Sequence, residues 1–215
     1  MGDDGASTVY SAEGTAAHAL AEQCLTADKD VPIGVRTWRA DGFEGYWDVS
    51  DLVAIQAYLD YCRRIPGERL YEVDLPLPDE RGGTGDCVIL DTDARTIHVI
   101  DLKFGKGVAV SAYDNRQLLE YLIGAVRKFD LICDWQYGSA HIVQPRRDWF
   151  VSWPYTRDQI ETHDFCMAVA ADLSSTHAGD IAWMTPGEKQ CRWCPISNGC
   201  KARANEVISM FQVIK

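Results

Sequence analysis

Two residues of opposite charge stand two positions apart in "VIDLKFGKG" (99–107), at the end of an apolar segment. Side chains two apart on a β-strand point to the same face, so Asp101 and Lys103 are predicted to project together. Asp86 opens the preceding predicted strand, and a hairpin would bring its carboxylate near Asp101. Neighbouring carboxylates raise each other's pKa. A divalent cation that prefers hard oxygen ligands, Mg²⁺ or Mn²⁺, would relieve that repulsion.

Lys103 gives this predicted site a chemical role. An ammonium group beside a metal-bound water can hold the water and stabilise the negative charge that develops in a transition state. Two acids, a lysine and a divalent cation together indicate phosphodiester hydrolysis. A surface salt bridge at a strand end is the alternative interpretation of the same residues.

Two neighbouring helices carry further polar residues. His18 lies in "GTAAHALAE" (14–22), where it could complete a metal shell or be a partly buried helical histidine, and Gly14 is expected to allow close approach to another element. Gln117 and Tyr121 are four apart, hence on one face of the helix after Lys103. They could hydrogen-bond a phosphate or the lysine, or simply form the edge of an amphipathic helix.

The order of the predicted elements gives the fold class. Patterning predicts helices at 11–25, 51–65, 111–130 and 156–175, strands at 69–77, 85–91, 96–104 and 138–146, and an irregular segment at 36–50. The expected N-caps are Ser11, Ser50, and Ser111 or Asp114. This order predicts an α/β (α+β) fold with a mixed central sheet flanked by helices.

Three of the eight cysteines crowd near the C-terminus as C-x2-C-x5-C, at Cys191, Cys194 and Cys200. Thiolates at this spacing suit zinc or an iron–sulfur cluster. We expect no signal peptide at "MGDDGASTVY" (1–10), so a reducing, cytoplasmic location is predicted rather than four disulfides. The scattered cysteines are predicted to be core residues.

Composition narrows the function class. The net charge of -11 excludes a generic basic coat for nucleic acid, although a local basic groove remains open. No apolar run approaches the roughly 18 residues of a membrane span, so no membrane partner is expected. Candidate groove residues are Lys106, Arg116, Arg127, Lys128, Arg146, Arg147, Arg192, Lys201 and Arg203. Aromatic residues of 36–50 could stack on bases or pack a small subdomain.

Four motifs in order, "GTAAH", "GTGDCVILD", "VIDLKFGKG" and "NRQLLEY", resemble the PD-(D/E)XK nuclease superfamily. The sequence is more closely similar to phage and prophage RecB-like exonucleases, which are related to the CRISPR adaptation nucleases. The resemblance covers about residues 11–205, and "IVQPR" (142–146) strengthens it. It implies a restriction-endonuclease-like core and a metal-dependent DNA exonuclease of phage recombination or DNA processing. It further implies DNA with free ends and a phage recombination protein as partners, in a bacterial or phage-infected cytoplasm.

The resemblance also assigns residue roles. It implies metal ligation by His18, Asp86, Asp101 and the Leu102 carbonyl, catalysis by Lys103, an acidic residue near the site at Glu72, and support of the site and DNA contact by Gln117 and Tyr121.

The same resemblance implies that the three clustered cysteines bind a [4Fe–4S] cluster, with zinc as the alternative. It predicts a nuclease core at 1–185 and a tail at 186–215 that packs on it, within one domain overall. The family's fourth cysteine lies upstream of the histidine helix, and no cysteine lies between Met1 and His18 here, so the fourth ligand is unknown.

Two other functions stay open at this stage. A non-catalytic module could keep the nuclease fold and bind DNA ends or a partner protein. A cysteine–metal module could carry the nuclease motifs by accident.

Overall fold

The computed structural model describes residues 7–78, 81–192 and 194–212. In chain order the elements are α1 (Val9–Thr26), β1 (Thr37–Ala40), β2 (Phe43–Tyr46), α2 (Val49–Arg64), β3 (Glu68–Pro76), β4 (Gly82–Asp91), β5 (Thr96–Leu102), α3 (Arg116–Phe129), β6 (Tyr137–Gln144), β7 (Trp149–Thr156), α4 (Arg157–Thr176), α5 (Glu188–Cys191) and α6 (Lys201–Gln212). Short 3₁₀ turns lie at 145–147, 181–183 and 197–199.

Strands β3 to β7 form one mixed sheet in the order in which they occur in the chain. β3, β4 and β5 pair antiparallel, β5 and β6 pair in parallel, and β7 pairs antiparallel with β6. Parallel neighbours need a crossover, and α3 provides it between β5 and β6. The predicted hairpin through residues 92–95 and the predicted mixed sheet flanked by helices are both confirmed.

The two faces of the sheet carry separate apolar clusters. One cluster joins α1, α2 and β1 to alternate residues of β4 and β5, such as Ile89 and Ile100. The other joins α3 to the opposite face, through residues such as Val88 and Val99. Buried alanines give α1 its close packing, whereas a Cβ added at Gly14 would meet nothing within 4 Å. The expectation of a close approach at Gly14 is therefore wrong.

The observed N-caps lie one to four residues from the predicted ones. α1 is capped by Thr8, with Ser11 as the third helical residue of a capping box, and α2 is capped by Asp48. Asn115 caps α3, one residue after Asp114 and four after Ser111. Ser, Thr, Asp and Asn are all good N-caps, so a cluster of them fixes the region but not the residue.

Two strand regions differ from the prediction. The segment predicted as irregular contains the antiparallel pair β1–β2, closed by a turn at Asp41 and Gly42, both at positive φ. Strand β7 was not predicted, and it contains Pro154, a residue that disfavours a strand. Proline is tolerated on an edge strand because no further neighbour needs its missing N–H.

Residues 7–168 form one compact unit, and the described residues from 169 onwards form a second. This division lies within α4. The core at 1–185 and the packing of the tail on it stay predictions. Among the described residues, no helix combines the length and apolarity needed to cross a bilayer.

A buried arginine joins three elements of the first unit. Arg146 follows β6, and its Nη1 lies 2.7 Å from a carboxylate oxygen of Glu13 on α1, while its Nη2 lies 3.2 Å from Asp51 on α2. Its guanidinium also lies 4.6 Å from the ring centroid of Phe104, just after β5. Ion pairs between exposed side chains contribute little to stability, whereas an uncompensated buried charge is strongly destabilising. Arg146 therefore fixes α1 and α2 relative to the end of β5.

Replacing this arginine should destabilise the fold. Arg146→Met leaves the Asp51 carboxylate, 5% exposed, buried without its cation. We expect a loss of roughly 3 kcal/mol in the free energy of unfolding, measured by urea denaturation. Arg39→Met is the matched control, because the Arg39–Glu44 pair is largely exposed, and it should cost less than about 1 kcal/mol. Equal losses in the two variants would contradict the assigned role of Arg146.

Two histidines on adjacent strands share a partly buried hydrogen-bond chain. His141 Nδ1 lies 2.9 Å from the Tyr61 hydroxyl, and His141 Nε2 lies 3.0 Å from His98 Nδ1. Burial, with a smaller contribution from His98, lowers the pKa of His141 from 6.5 to about 3. His141 is therefore neutral in the fold at pH values where it would be protonated in the unfolded chain.

Acid should destabilise the protein through this histidine. Above pH 6.5 His141 is neutral in both states, whereas between pH 6.5 and about 3 only the unfolded state gains its proton. The free energy of unfolding should fall by up to about 1.4 kcal/mol per pH unit in that window. His141→Phe should flatten the slope measured by urea denaturation at pH 7 to 4.5. Parallel slopes for His141→Phe and the unaltered protein would refute this assignment.

Candidate metal centre

The site lies where β4 and β5 part. Their last ladder pair is Cys87 with Ile100, so Asp86 and Asp101 are the next residues in register, just beyond it. Asp86 Oδ2 accepts the Leu102 N–H at 2.7 Å. A side-chain carboxylate thus takes the place of a strand carbonyl, while β5 stays paired with β6 through Leu102.

His18 and Glu72 meet Asp86 from two other elements. His18 Nδ1, on α1, lies 3.3 Å from Asp86 Oδ1. Glu72, on β3, lies opposite Asp86, between the paired residues Tyr71 and Val73. One ligand atom from each of His18, Glu72 and Asp86 lies within 4.8 Å of the others. The three residues come from separate elements and offer one imidazole and two carboxylates.

Glu72 reaches this position through an unusual backbone. Its φ is +46°, in the left-handed region that non-glycine residues rarely adopt. Residues held there cost of order 1–3 kcal/mol and concentrate at functional sites. The β3–β4 pairing is interrupted at the same place, at Glu72 and Asp86. Both carboxylates lie close to His18 at this interruption.

The charged groups of this cluster shift each other's pKa values. Burial alone lowers the pKa of His18, but hydrogen bonding and attraction by Asp86, helped by Asp101 and Glu72, raise it above 6.5. Partial burial, followed by the charges of Asp86 and Glu22, raises the pKa of Glu72. Excess negative charge therefore attracts a proton to His18 or, equally, a cation.

Asp101 and Lys103 form the second half of the site. Lys103 Nζ lies 2.9 Å from Asp101 Oδ2 and 3.1 Å from Oδ1, as their spacing on one strand predicts. Asp101 is 4% exposed. Burial, then the charge of Asp86, raises its pKa from 3.8 to about 6, even though Lys103 acts in the opposite direction.

The ligand trio differs from the set that the resemblance implies. Within the described residues the compact trio contains Glu72, whereas Asp101 lies outside it and pairs with Lys103. Leu102 offers its N–H to Asp86. A small cavity is lined by His18, Ala21, Glu22, Leu25, Tyr58, Glu72, Asp86 and Leu102. The predicted ligand roles of Asp101 and the Leu102 carbonyl stay predictions.

Gln117 and Tyr121 are brought together on α3. Gln117 Nε2 donates to the Tyr121 hydroxyl at 2.9 Å. The Tyr121 ring lies so close to Gly83 on β4 that a Cβ there would be 2.9 Å from it. In the part of the chain that the structure describes, neither side chain has a hydrogen bond to Asp101 or Lys103. Their predicted support of the site and contact with DNA stay predictions.

The three clustered cysteines lie in the second unit. Cys191 ends α5, Cys194 follows in a turn and Cys200 precedes α6, and all three are partly buried. Cys191 Sγ accepts the Gly187 N–H at 3.4 Å. Within residues 7–78, 81–192 and 194–212, the three thiols do not form a trio within 4.8 Å. A metal cluster at these residues stays a prediction. Of the scattered cysteines, Cys166 is exposed, so its prediction as a core residue is wrong.

Most of the candidate groove cations of the first unit are engaged internally. Arg127 pairs with Asp164, Lys128 donates to the Asp74 carbonyl, Arg147 donates to the Lys106 and Gly107 carbonyls, and Arg146 forms the junction described above. Lys106 and Arg116 are exposed and have no ion-pair partner among the described residues. These two remain available for an external anion.

Gln144 is a residue that the motif analysis did not single out. It is 3% exposed, and its Nε2 donates to the Gly105 and Val108 carbonyls at 3.0 and 3.3 Å. Its Oε1 accepts the Val110 N–H at 3.3 Å. The loop that begins two residues after Lys103 is therefore held by one buried amide. A glutamine at the end of an otherwise apolar predicted strand, in "IVQPR", was the available signal.

Comparison with known proteins gives a family match and a likeness to a solved structure. The crystal structure of SSO0001 resembles this chain with a TM-score of 0.36 and 14% identity, over 70% of this chain and 66% of that one. The match thus spans just under two thirds of SSO0001 and does not establish a shared fold. A family described as "Protein of unknown function (DUF2800)" matches residues 73–214. That range holds Asp86, Asp101, Lys103 and the clustered cysteines, and it covers well over half of the sequence. The chain belongs to the DUF2800 family.

Proposed function

We propose that this protein is a metal-dependent DNA nuclease that hydrolyses phosphodiester bonds. One observation carries the proposal: the end of the β4–β5 ladder places a His–Glu–Asp trio beside a strand that presents Asp101 and Lys103. Structural ion pairs do not need an imidazole and two acids from three separate elements at one point. An acidic cluster with an adjacent lysine suits the charge changes of phosphoryl hydrolysis.

The donor set fits a divalent cation. Carboxylate oxygens suit Mg²⁺ and Mn²⁺, and an imidazole widens the choice towards transition metals. Asp101 Oδ2 is buried and, in the described chain, has no partner with hydrogen-bond geometry, although Lys103 Nζ lies 2.9 Å away. His18, Glu72 and Asp86 would hold the ion. When bound, it would neutralise the carboxylates and polarise the phosphoryl group as a Lewis acid.

The chain's own residues supply the remaining chemistry. Hydrolysis adds the oxygen of water to phosphorus, breaks a P–O bond and leaves a proton on the departing oxygen. Lys103 is held by Asp101 but is about a third exposed, so its remaining protons can face water and substrate. Its positive charge stabilises charge that accumulates on the phosphoryl oxygens. Asp101 holds the lysine against the strand and sets the direction of its ammonium group.

Finer features of the proposal rest on the resemblance to PD-(D/E)XK and RecB-like nucleases. They are exonuclease action at free ends, a role in phage recombination or DNA processing with a partner protein, and a [4Fe–4S] or zinc tail at Cys191, Cys194 and Cys200. Gln117 and Tyr121 would support the site from α3, through their shared hydrogen bond.

A non-catalytic DNA-end or partner-binding module is the second candidate. Its favouring observation is that both oxygens of Asp101 lie within 3.1 Å of Lys103, so that this pair neutralises itself without a cation. The two functions separate on divalent-dependent cleavage, which only the nuclease performs.

Metal binding should depend on the trio. We expect Asp86→Asn to weaken Mn²⁺ binding by at least about tenfold, because one of two converging carboxylates loses its charge. Isothermal titration of Mn²⁺ into the purified protein measures this. Asp93→Asn is the matched control, since Asp93 lies exposed in the 92–95 turn. Equal Mn²⁺ affinity in both variants would remove His18, Glu72 and Asp86 as the ion's site.

Cleavage should depend on the lysine. Lys103→Ala should reduce the cleavage rate by roughly 100-fold or more, in the range for loss of one transition-state donor. The assay uses end-labelled linear DNA and closed circular DNA, with Mg²⁺, Mn²⁺ or EDTA and anaerobically purified protein. Lys29→Ala, a change of an exposed lysine in a loop, is the control.

The pattern of products separates the candidates. Metal-dependent loss of linear but not circular DNA supports an exonuclease. Full activity in Lys103→Ala would overturn the role of the lysine. No cleavage by a protein that binds Mn²⁺ would favour the binding module.

A further inference from the structure

The segment after Lys103 lies beside the start of the edge strand β7. Trp149 Nε1 donates to the Val110 carbonyl at 2.8 Å. Further along both segments, the rings of Tyr113 and Trp153 lie 4.6 Å apart in a T-shaped arrangement. Residues 110–113 therefore run alongside β7 from Trp149 to Trp153. Val110, the first of them, lies seven residues after Lys103 in the sequence.

Three aromatic side chains remain open to solvent along this track. Tyr113 is 63% exposed, Trp153 41% and Trp149 39%. We call these three residues the aromatic surface. Trp149 and Trp153 are an even number of residues apart, so they lie on one face of β7. Neighbouring exposed apolar side chains mark binding sites more often than single exposed ones do.

Side-chain hydrogen bonds hold the segment that carries Tyr113. Gln144 and Arg147 together bind four carbonyls of residues 105–108, and Ser111 Oγ accepts the Tyr113 N–H at 3.0 Å. Asn115 Nδ2 donates to the Ser111 carbonyl at 2.9 Å. A prearranged surface loses less conformational entropy on binding, which is unnecessary for a segment that only links a strand to a helix.

Charge around the aromatic surface is balanced. Lys106 and Arg116 are exposed and have no ion-pair partner among the described residues, while Asp114 and Asp148 are exposed in the same stretch. A duplex offers mainly phosphates to a protein surface, and its binding needs net positive charge. A single strand also offers the faces of unpaired bases, which stack on aromatic rings whatever the sequence.

We propose that Tyr113, Trp149 and Trp153 bind the bases of single-stranded DNA next to Lys103. The location of this subsite rests on the proposed nuclease function, because the same strand must pass from the aromatic surface to the Asp101–Lys103 pair. Lys106 and Arg116 contact its phosphates. The proposal gives the substrate class of the site: a strand with unpaired bases on this side of the scissile bond.

The test measures binding without cleavage. Fluorescence anisotropy follows a fluorescein-labelled oligothymidylate 12-mer, and a duplex of the same length, with the full chain in EDTA. We expect tighter binding of the single strand. Tyr113→Ala and Trp153→Ala should each weaken it by roughly tenfold, as for the loss of one base-stacking side chain, and Trp153→Phe should restore most of it.

Tyr137→Ala is the matched control, because Tyr137 is 53% exposed at the start of β6, beside the end of β5 opposite to Leu102 and Lys103, and it should change nothing. Unchanged affinity in Tyr113→Ala and Trp153→Ala, or no binding of the single strand, would overturn the proposal. If the two variants lost as much affinity for the duplex as for the single strand, the proposal would also be overturned. If the unaltered protein sediments as a dimer and both variants sediment as monomers, the surface belongs instead to an interface between two copies of the chain. Failure of the nuclease proposal is recognised separately, as intact binding without metal-dependent cleavage.

Discussion

The hydrogen bond from the Leu102 N–H to Asp86 Oδ2 is the contact on which the site depends. It occurs where the β4–β5 ladder ends, and it replaces a backbone acceptor by a side chain. One carboxylate oxygen thereby keeps the two strands together after their ladder has stopped. The other oxygen is left for His18, at 3.3 Å. A buried N–H must be paired, so Asp86 is fixed by folding before any ligand is considered. Its neighbours Glu72 and Asp101 then experience a fixed negative charge, which contributes to the raised pKa of both.

The turn after β6 couples this point to the rest of the first unit. Gln144 holds the loop that follows Lys103, and Arg146 binds Glu13 on the helix that also carries His18. One proline separates these two residues, so the same short segment holds both the loop after Lys103 and the helix α1. β6 is paired in parallel with β5 up to Leu102. The position of His18 relative to Lys103 is therefore determined by buried polar contacts from both sides. Apolar packing alone would allow small sliding of an alanine-rich helix face.

The sequence predicted those features that depend on residues close together in the chain. The two-residue spacing of Asp101 and Lys103 predicted their pairing, and the turn at 92–95 predicted the hairpin that brings Asp86 alongside. The sequence did not reveal the left-handed backbone of Glu72, because a glutamate carries no signal for positive φ. It also missed the partners of Arg146, since Glu13 lies 133 residues away and each charge alone is typical of a surface. The placement of His18 near Asp86 was predicted only from the family resemblance. The local pattern around His18 fitted a partly buried helical histidine as well as a metal ligand.

The acidity of the chain bears on how the proposed nuclease would hold DNA. A net charge of -11 repels phosphate at long range, and the trio adds negative charge where the proposed nuclease would hold the scissile group. Long-range attraction would therefore contribute little to DNA binding, and the proposed nuclease would draw its binding energy from short-range contacts: a cation at the trio, Lys103, Lys106, Arg116 and the exposed aromatic rings. Stacking on rings is short-ranged and insensitive to net charge. An acidic protein can therefore bind a strand with unpaired bases where it would reject an intact duplex, and its site would act where bases are already exposed.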